Sequence, residues 1–218
     1  MTGVDTSGGR IDAGSVIVAA GAWSKRLCEE FGLSLPMRPK AIDTVAVSRP
    51  PALEKSHMVF IDNVLGNYFR PEAGGLTLVG IPCQEWDIEP DTLGTGLPPE
   101  AAELGASLLT HRIPAMERAT LSRGYRAFDG YSADRHAILG RVDGIDGLYL
   151  ATAFSGSGFK IAPAVGMCMA ELVTEGRAKT VDIEPFSLRR FAEGRTIEGS
   201  HPYAVRPDYI DPRSARVA

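Results

Sequence analysis

Residues Phe154 to Lys160, "FSGSGFK", place a loop of Gly156, Ser157 and Gly158 ahead of an apolar helix with Pro163 near its start. A junction of that kind leaves backbone N–H groups unpaired at the positive end of a helix dipole, which attracts an anion, and Lys160 adds a cation. Taken alone, the stretch fits a plain strand-to-helix connection with a solvated lysine better than a site. Two other chemistries are excluded by spacing. Cys28, Cys83 and Cys168 are far apart and odd in number, and His57, His111, His136 and His201 lack metal-ligand spacing, so reduced thiols and no metal are expected. A dinucleotide-binding G-x-G-x-x-G turn after a strand is also absent: "GTGLPP" at Gly94 lacks the strand, and it and "GSGFKI" at Gly156 both lack the third glycine.

The elements that must position such a loop follow from patterning. The 218 residues, 44% of them hydrophobic, suffice for a real core. A net charge of −4, from 23 basic and 27 acidic residues spread along the chain, offers no basic face to nucleic acid or an anionic membrane. No apolar run reaches the roughly 18 residues of a membrane span, and Met1 is not followed by a basic and then apolar leader, so the expected location is cytoplasmic.

Val4–Thr6 and Arg10–Asp12 read as a hairpin, and the unbroken apolar run Val16 to Ala20 as a strand buried on both faces. Gly21 turns the chain into a short helix in which Trp23, Leu27 and Phe31 share one face, with Trp23 expected as a core anchor. From Pro36 to Pro82 the pattern alternates, which predicts antiparallel strands with "EAGG" as a hairpin turn. A helix follows Pro98 and Pro99 and stops at Pro114; strand and loop return from Ser122 to Gly140. The strand from Leu148 leads into the helix after Gly158, apolar on both sides and expected to be buried all round. Beyond Glu184 the chain turns polar and Pro-rich.

The fold class is therefore mixed α/β: two parallel-type strand–helix pieces bracket an antiparallel block. The boundaries fall into one unit at 1–33 and 140–180, an antiparallel domain at 34–139, and a C-terminal arm or tail at 181–218.

"VIVAAGAWSKRL", "YFRPEAGGLTLVG", "ADRHAILG" and "GLYLATAFSGSGFKIAPAVGMCMAELVTEG" occur in the order seen in the FAD-dependent amino-acid and amine oxidoreductases of the glycine oxidase, sarcosine oxidase and dimethylglycine dehydrogenase type, and the chain resembles that family from about Gly3 to Phe191. The resemblance implies FAD as cofactor and oxidation of a C–N bond by hydride transfer to the flavin. It implies that Phe154, Ser155, Gly156, Ser157, Gly158, Phe159 and Lys160 lie against the isoalloxazine, that the turn of Ala20 and Gly21 approaches the cofactor, and that Tyr68 belongs to the substrate site. With the other motifs present, the cofactor role of the glycine loop becomes the favoured one.

The departures from the family pattern carry as much. Where sarcosine-type oxidases place a lysine beside the flavin, this chain has Thr77, which with Lys160 is the catalytic candidate and favours a dehydrogenase over an oxidase. Where glycine-oxidase-like members bind the substrate carboxylate with arginine, counting back from Gly140 gives Asp129, with Arg126 or Arg70 as substitutes. A carboxylate there suits a cationic amine; a turn residue before Gly130 is the equal alternative. The implied architecture is the C-terminal part of a two-layer FAD/NAD(P)-binding-like fold whose N-terminal Rossmann half is missing, with 1–33 and 140–180 as the remnant of the FAD-binding domain and 34–139 as the substrate-binding domain. The expected partners are then a small amine or amino acid and a chain supplying the ADP-binding half, or a homo-oligomer. A non-catalytic binding or interaction domain is the alternative function.

Overall fold

Residues with continuous apolar runs and residues with alternating ones fold into different sheets. The structure, a computed structural model, describes residues 1–53, 57–62, 65–83 and 85–198. In chain order it contains strands β1 (Gly3–Thr6), β2 (Gly9–Asp12) and β3 (Val16–Val18), helix α1 (Ser24–Glu29), strands β4 (Met37–Ser48), β5 (Phe60–Asp62), β6 (Asn67–Pro71) and β7 (Leu76–Ile81), helix α2 (Pro99–Arg112), strands β8 (Thr120–Ser132), β9 (Ile138–Arg141) and β10 (Leu148–Thr152), and helices α3 (Gly158–Glu175) and α4 (Arg189–Ala192). Chain contacts divide it into two units, residues 1–40 with 129–218, and residues 41–128.

In the first unit, β10 pairs in parallel with β3, Leu148 opposite Val16, and antiparallel with β9, giving a three-stranded sheet ordered β3-β10-β9. Side chains alternate across a strand, so Leu148 and Leu150 pack on one face with Cys28, Leu33, Leu35 and Met37, and Tyr149 on the other with Cys168, Met169 and Leu172 of α3. β1 and β2 form the hairpin that the sequence predicts. Burial, with Glu29 nearby, pushes the Cys28 thiol up to about 11.

Two expectations about helices are corrected here. The stretch after Gly21 is a 3₁₀ turn followed by α1, and it buries Ala22, Ser24 and Cys28, whereas Trp23, Leu27 and Phe31 are exposed. α3 buries Cys168, Met169 and Leu172 but exposes Ile161 and Met167, with Phe159 99% exposed. The reason is common to both: the sheet behind each helix covers only the stripe facing it, and β3 stands at the sheet edge with β10 as its one neighbour in the sheet.

In the second unit, the sheet is ordered β5-β6-β7-β4-β8, with β4, β6 and β7 antiparallel as predicted. Val45, Val47, Phe69, Val79 and Ile81 form its core with Ala101 and Leu109 of α2 and Met116. Pro98 and Pro99 open α2, and Ile113 and Pro114 close it.

Part of the segment expected as an arm or tail is packed: Ile183, Leu188 and Phe191 are buried. Arg190 is 0% exposed, donates from Nε to Asp134 Oδ2 (2.7 Å) and from Nη2 to Asp134 Oδ1 (2.8 Å), and also reaches the carbonyls of Phe186 and His136. Residues 199–218 of that segment lie outside the described residues. Burial raises the Asp134 carboxyl, but the bonds and charge of Arg190 outweigh it and hold it below its ordinary value of 3.8. A carboxyl lowered by folding gives stability that is complete above that value and is lost as pH falls below it. Removing one partner of a buried pair costs about 3–5 kcal/mol. Arg190→Met is therefore expected to lower unfolding stability by about that much at pH 7, with a smaller difference from wild type near pH 3; urea melts at the two pH values check it.

Candidate functional site

The loop between β10 and α3 is built on backbone strain. Ala153, Ser155 and Gly156 take left-handed φ values of 56°, 53° and 83°. For the two residues with a Cβ that conformation costs about 1–3 kcal/mol each and persists only when surroundings enforce it. They do. Ser155 N–H donates to Gly130 O (3.0 Å), Ser155 Oγ accepts from Ser132 N–H (3.1 Å) and donates to Ala153 O, and Phe154 bridges to Tyr131. Asp129 completes the tie: its Oδ1 accepts from Gly130 N–H (2.7 Å) and its Oδ2 from Gly156 N–H (2.6 Å). Burial raises the Asp129 carboxyl, and the two N–H groups oppose that shift.

This rearranges the expected donor set. Gly156 N–H is engaged by Asp129 and Ser157 N–H by Phe154 O (3.0 Å), so the donors at the helix end are those of Gly158, Phe159 and Lys160, which have no partner four residues back. No side chain caps this end and no acidic residue occupies its first turn. Lys160 is exposed, with Nζ 3.4 Å from Gly156 O. A side chain on Gly158 would sit 2.8 Å from the Phe154 ring, which is why the position is glycine. In the same unit, Gly21 follows Ala20 with φ of 53°, open space lies where a Cβ would be, and Thr152 Oγ1 donates to its carbonyl. Strained backbone, an uncapped helix end and a cation form a cradle for an anionic, hydrogen-bond-accepting edge of a ligand.

The second unit holds the remaining candidates. Tyr68 and Arg70 alternate with Phe69, so they lie on the face opposite the helix-covered core. The Tyr68 ring rests on Gly80, where a Cβ would collide with it. Burial and the neighbouring Tyr125 push its phenol up. Arg70 is exposed and its Nε donates to Glu72 (2.7 Å).

Thr77 lies elsewhere. It shares parity with Val79 and Ile81, is 0% exposed, and its hydroxyl meets His57 Nε2 at 2.7 Å, so it lies on the core face of the sheet and not beside Tyr68 and Arg70. Arg126 is not an open carboxylate receptor either: its Nε and Nη2 donate to Asp43 Oδ1 (2.8 Å) and Oδ2 (2.9 Å), and its Nη1 to Glu85. Tyr125, His57, Asp43 and Glu85 were not singled out in the sequence. Only Tyr125, an aromatic residue beside Arg126 in a strand, gave a local signal.

The family model described as FAD dependent oxidoreductase, DAO, matches residues 1–172. The chain belongs to that family. It is 31% identical over 194 residues to FAD-dependent oxidoreductase domain-containing protein 1 of Xenopus laevis, covering 83% of this chain and 39% of that protein. To glycine oxidase of Geobacillus kaustophilus it is 31% identical over 191 residues, covering 86% and 47%. The structure of L-proline dehydrogenase from P. horikoshii superposes with a TM-score of 0.76 at 27% identity, covering 88% of this chain and 51% of that one. The chain thus spans between two fifths and one half of the relatives it matches. As a member of the DAO family it is related to FAD-dependent enzymes, and its mixed α/β fold with antiparallel sheets is theirs over most of its length.

Two substitutions test the local packing. Gly158→Ala should lower stability by about 1–3 kcal/mol, although alanine is the better helix former, because the Phe154 ring must give way. Thr77→Lys should cost about 4 kcal/mol, because it places an ammonium in the core. Urea unfolding of both variants against wild type reads the differences.

Proposed function

We propose that this chain supplies the isoalloxazine-facing loop and the substrate-binding sheet of an FAD-dependent enzyme that oxidises the C–N bond of an amino acid or of a secondary or tertiary amine. The observation that carries this is the strained β10–α3 loop with its uncapped helix end, in a chain of the DAO family. Glycine oxidase and sarcosine oxidase among the relatives act on small amino acids by their names, which supports the substrate class.

FAD, when bound, supplies the hydride acceptor, leaving an imine that water hydrolyses. The N–H groups of Gly158, Phe159 and Lys160 and the dipole of α3 stabilise negative charge on the pyrimidine edge of the ring. Lys160 adds a positive charge from solvent. Phe154, Ser155 and Ser157 shape that loop, and the turn of Ala20 and Gly21 leaves room for close approach. Tyr68 and Arg70 present a phenol and a cation to substrate from the sheet. A dehydrogenase fits better than an oxidase, since β7, the strand in which the sarcosine-type oxidases are expected to carry their flavin-side lysine, holds no lysine here, and Thr77 of that strand faces the core.

The ADP end of the cofactor needs a different anchor, because no G-x-G-x-x-G turn after a strand lies within residues 1–218. We assign it to a segment or partner chain that docks beside β3 and over the exposed apolar side of α3. With only the redox end held, a few hydrogen bonds of about 1 kcal/mol each, set against the several kcal/mol cost of association, leave binding in roughly the millimolar range. The 218 residues alone are therefore expected to bind FAD more weakly than micromolar and to purify colourless. Fluorescence titration with FAD checks this; tight binding would place the whole anchor in this chain. Supplied with the anchoring half, amine turnover should run faster with an artificial electron acceptor than with oxygen, and peroxide formed in step with turnover would refute the dehydrogenase assignment.

A further inference from the structure

We propose that Asp129 is a positioning residue that locks the Ser155–Gly156 turn and withholds the Gly156 N–H from any ligand, so that the flavin meets the N–H groups of Gly158, Phe159 and Lys160. The proposal rests on the flavin function above, but its first half concerns this chain alone. Asp129 and Gly156 are 27 positions apart, and the 2.6 Å bond between them joins the end of β8 to the entry of α3. The other oxygen takes Gly130 N–H at 2.7 Å, so both carboxylate oxygens are already engaged by backbone. That is the coordination of a latch, in which the charge serves two amides and no side-chain cation. Ser155 N–H on Gly130 O and Ser132 N–H on Ser155 Oγ fix the adjacent residue, which leaves Gly156 to Asp129. Gly156 itself has φ of 83° and borders the Tyr131 hydroxyl, so releasing its amide frees the turn that aims the first helical N–H groups.

The test is amide NMR of the full chain with Asp129→Ala and Asp129→Asn, each checked for retained β3–β10 pairing through the amides of Leu148 to Leu150. Hydrogen exchange at Gly156 should speed up at least tenfold in Asp129→Ala and by less in Asp129→Asn, which keeps one carbonyl oxygen. FMN, added to millimolar concentration as a probe of the isoalloxazine end, should shift the amides of Gly158, Phe159 and Lys160 in wild type but leave Gly156 in place. Those shifts should vanish in the alanine variant and return in part with asparagine. Unchanged exchange at Gly156, or FMN shifts that persist in Asp129→Ala, would overturn the proposal. Should FMN move no amide even in wild type, the flavin function fails, while exchange at Gly156 still decides the latch.

Discussion

The short run from Asp129 to Asp134, at and just past the end of β8, bonds to both the β10–α3 loop and the C-terminal segment, and much of the first unit is organised around those bonds. Asp129, Gly130 and Ser132 hold the β10–α3 loop in a left-handed shape, while Asp134 takes the buried guanidinium of Arg190. One segment of six residues thus secures both the β10–α3 loop and the C-terminal segment. The chemistry of the two grips differs. At the loop a carboxylate accepts from neutral amides, and at the C-terminal segment a carboxylate meets a full positive charge with no exposure to water. The second is costly to form and more costly to break, so it ties residues 183–191 to the domain rather than leaving them as an appendage.

Much of this was legible in the sequence, and what was not has physical reasons. The apolar runs at Val16 and Leu148 announced the parallel pair, and alternation between Pro36 and Pro82 announced the antiparallel sheet. The stripes on α1 and α3 misled because hydrophobic spacing marks a face that can be covered, without saying that the cover lies in the same chain. Trp23 and Met167 are the clearest cases.

Site residues were harder to read than strands, because a motif fixes a position and the fold fixes its direction. Thr77 sits two residues before Val79, and that parity turns it to the core face instead of toward the Tyr68 face. Arg126 is a free cation by composition, but Asp43 lies 83 positions earlier and Glu85 41 positions earlier, and both claim it. No local pattern encodes partners at those separations. The glycine loop is the opposite case: φ, spacing and small side chains are local properties, and the loop was legible, although the donor that Asp129 removes from it was not.

The pairing of Val16 with Leu148 also has a consequence for the order of assembly. These strands lie about 130 positions apart, and residues 41–128 between them form a unit with its own core. Closing so long a loop before the intervening chain is compact is entropically expensive. The inserted unit, rich in antiparallel neighbours, shortens that loop when it folds first, and the parallel sheet then closes around ends already brought near each other. Loop-closure entropy therefore favours an order in which contacts within residues 41–128 form before β3 pairs with β10.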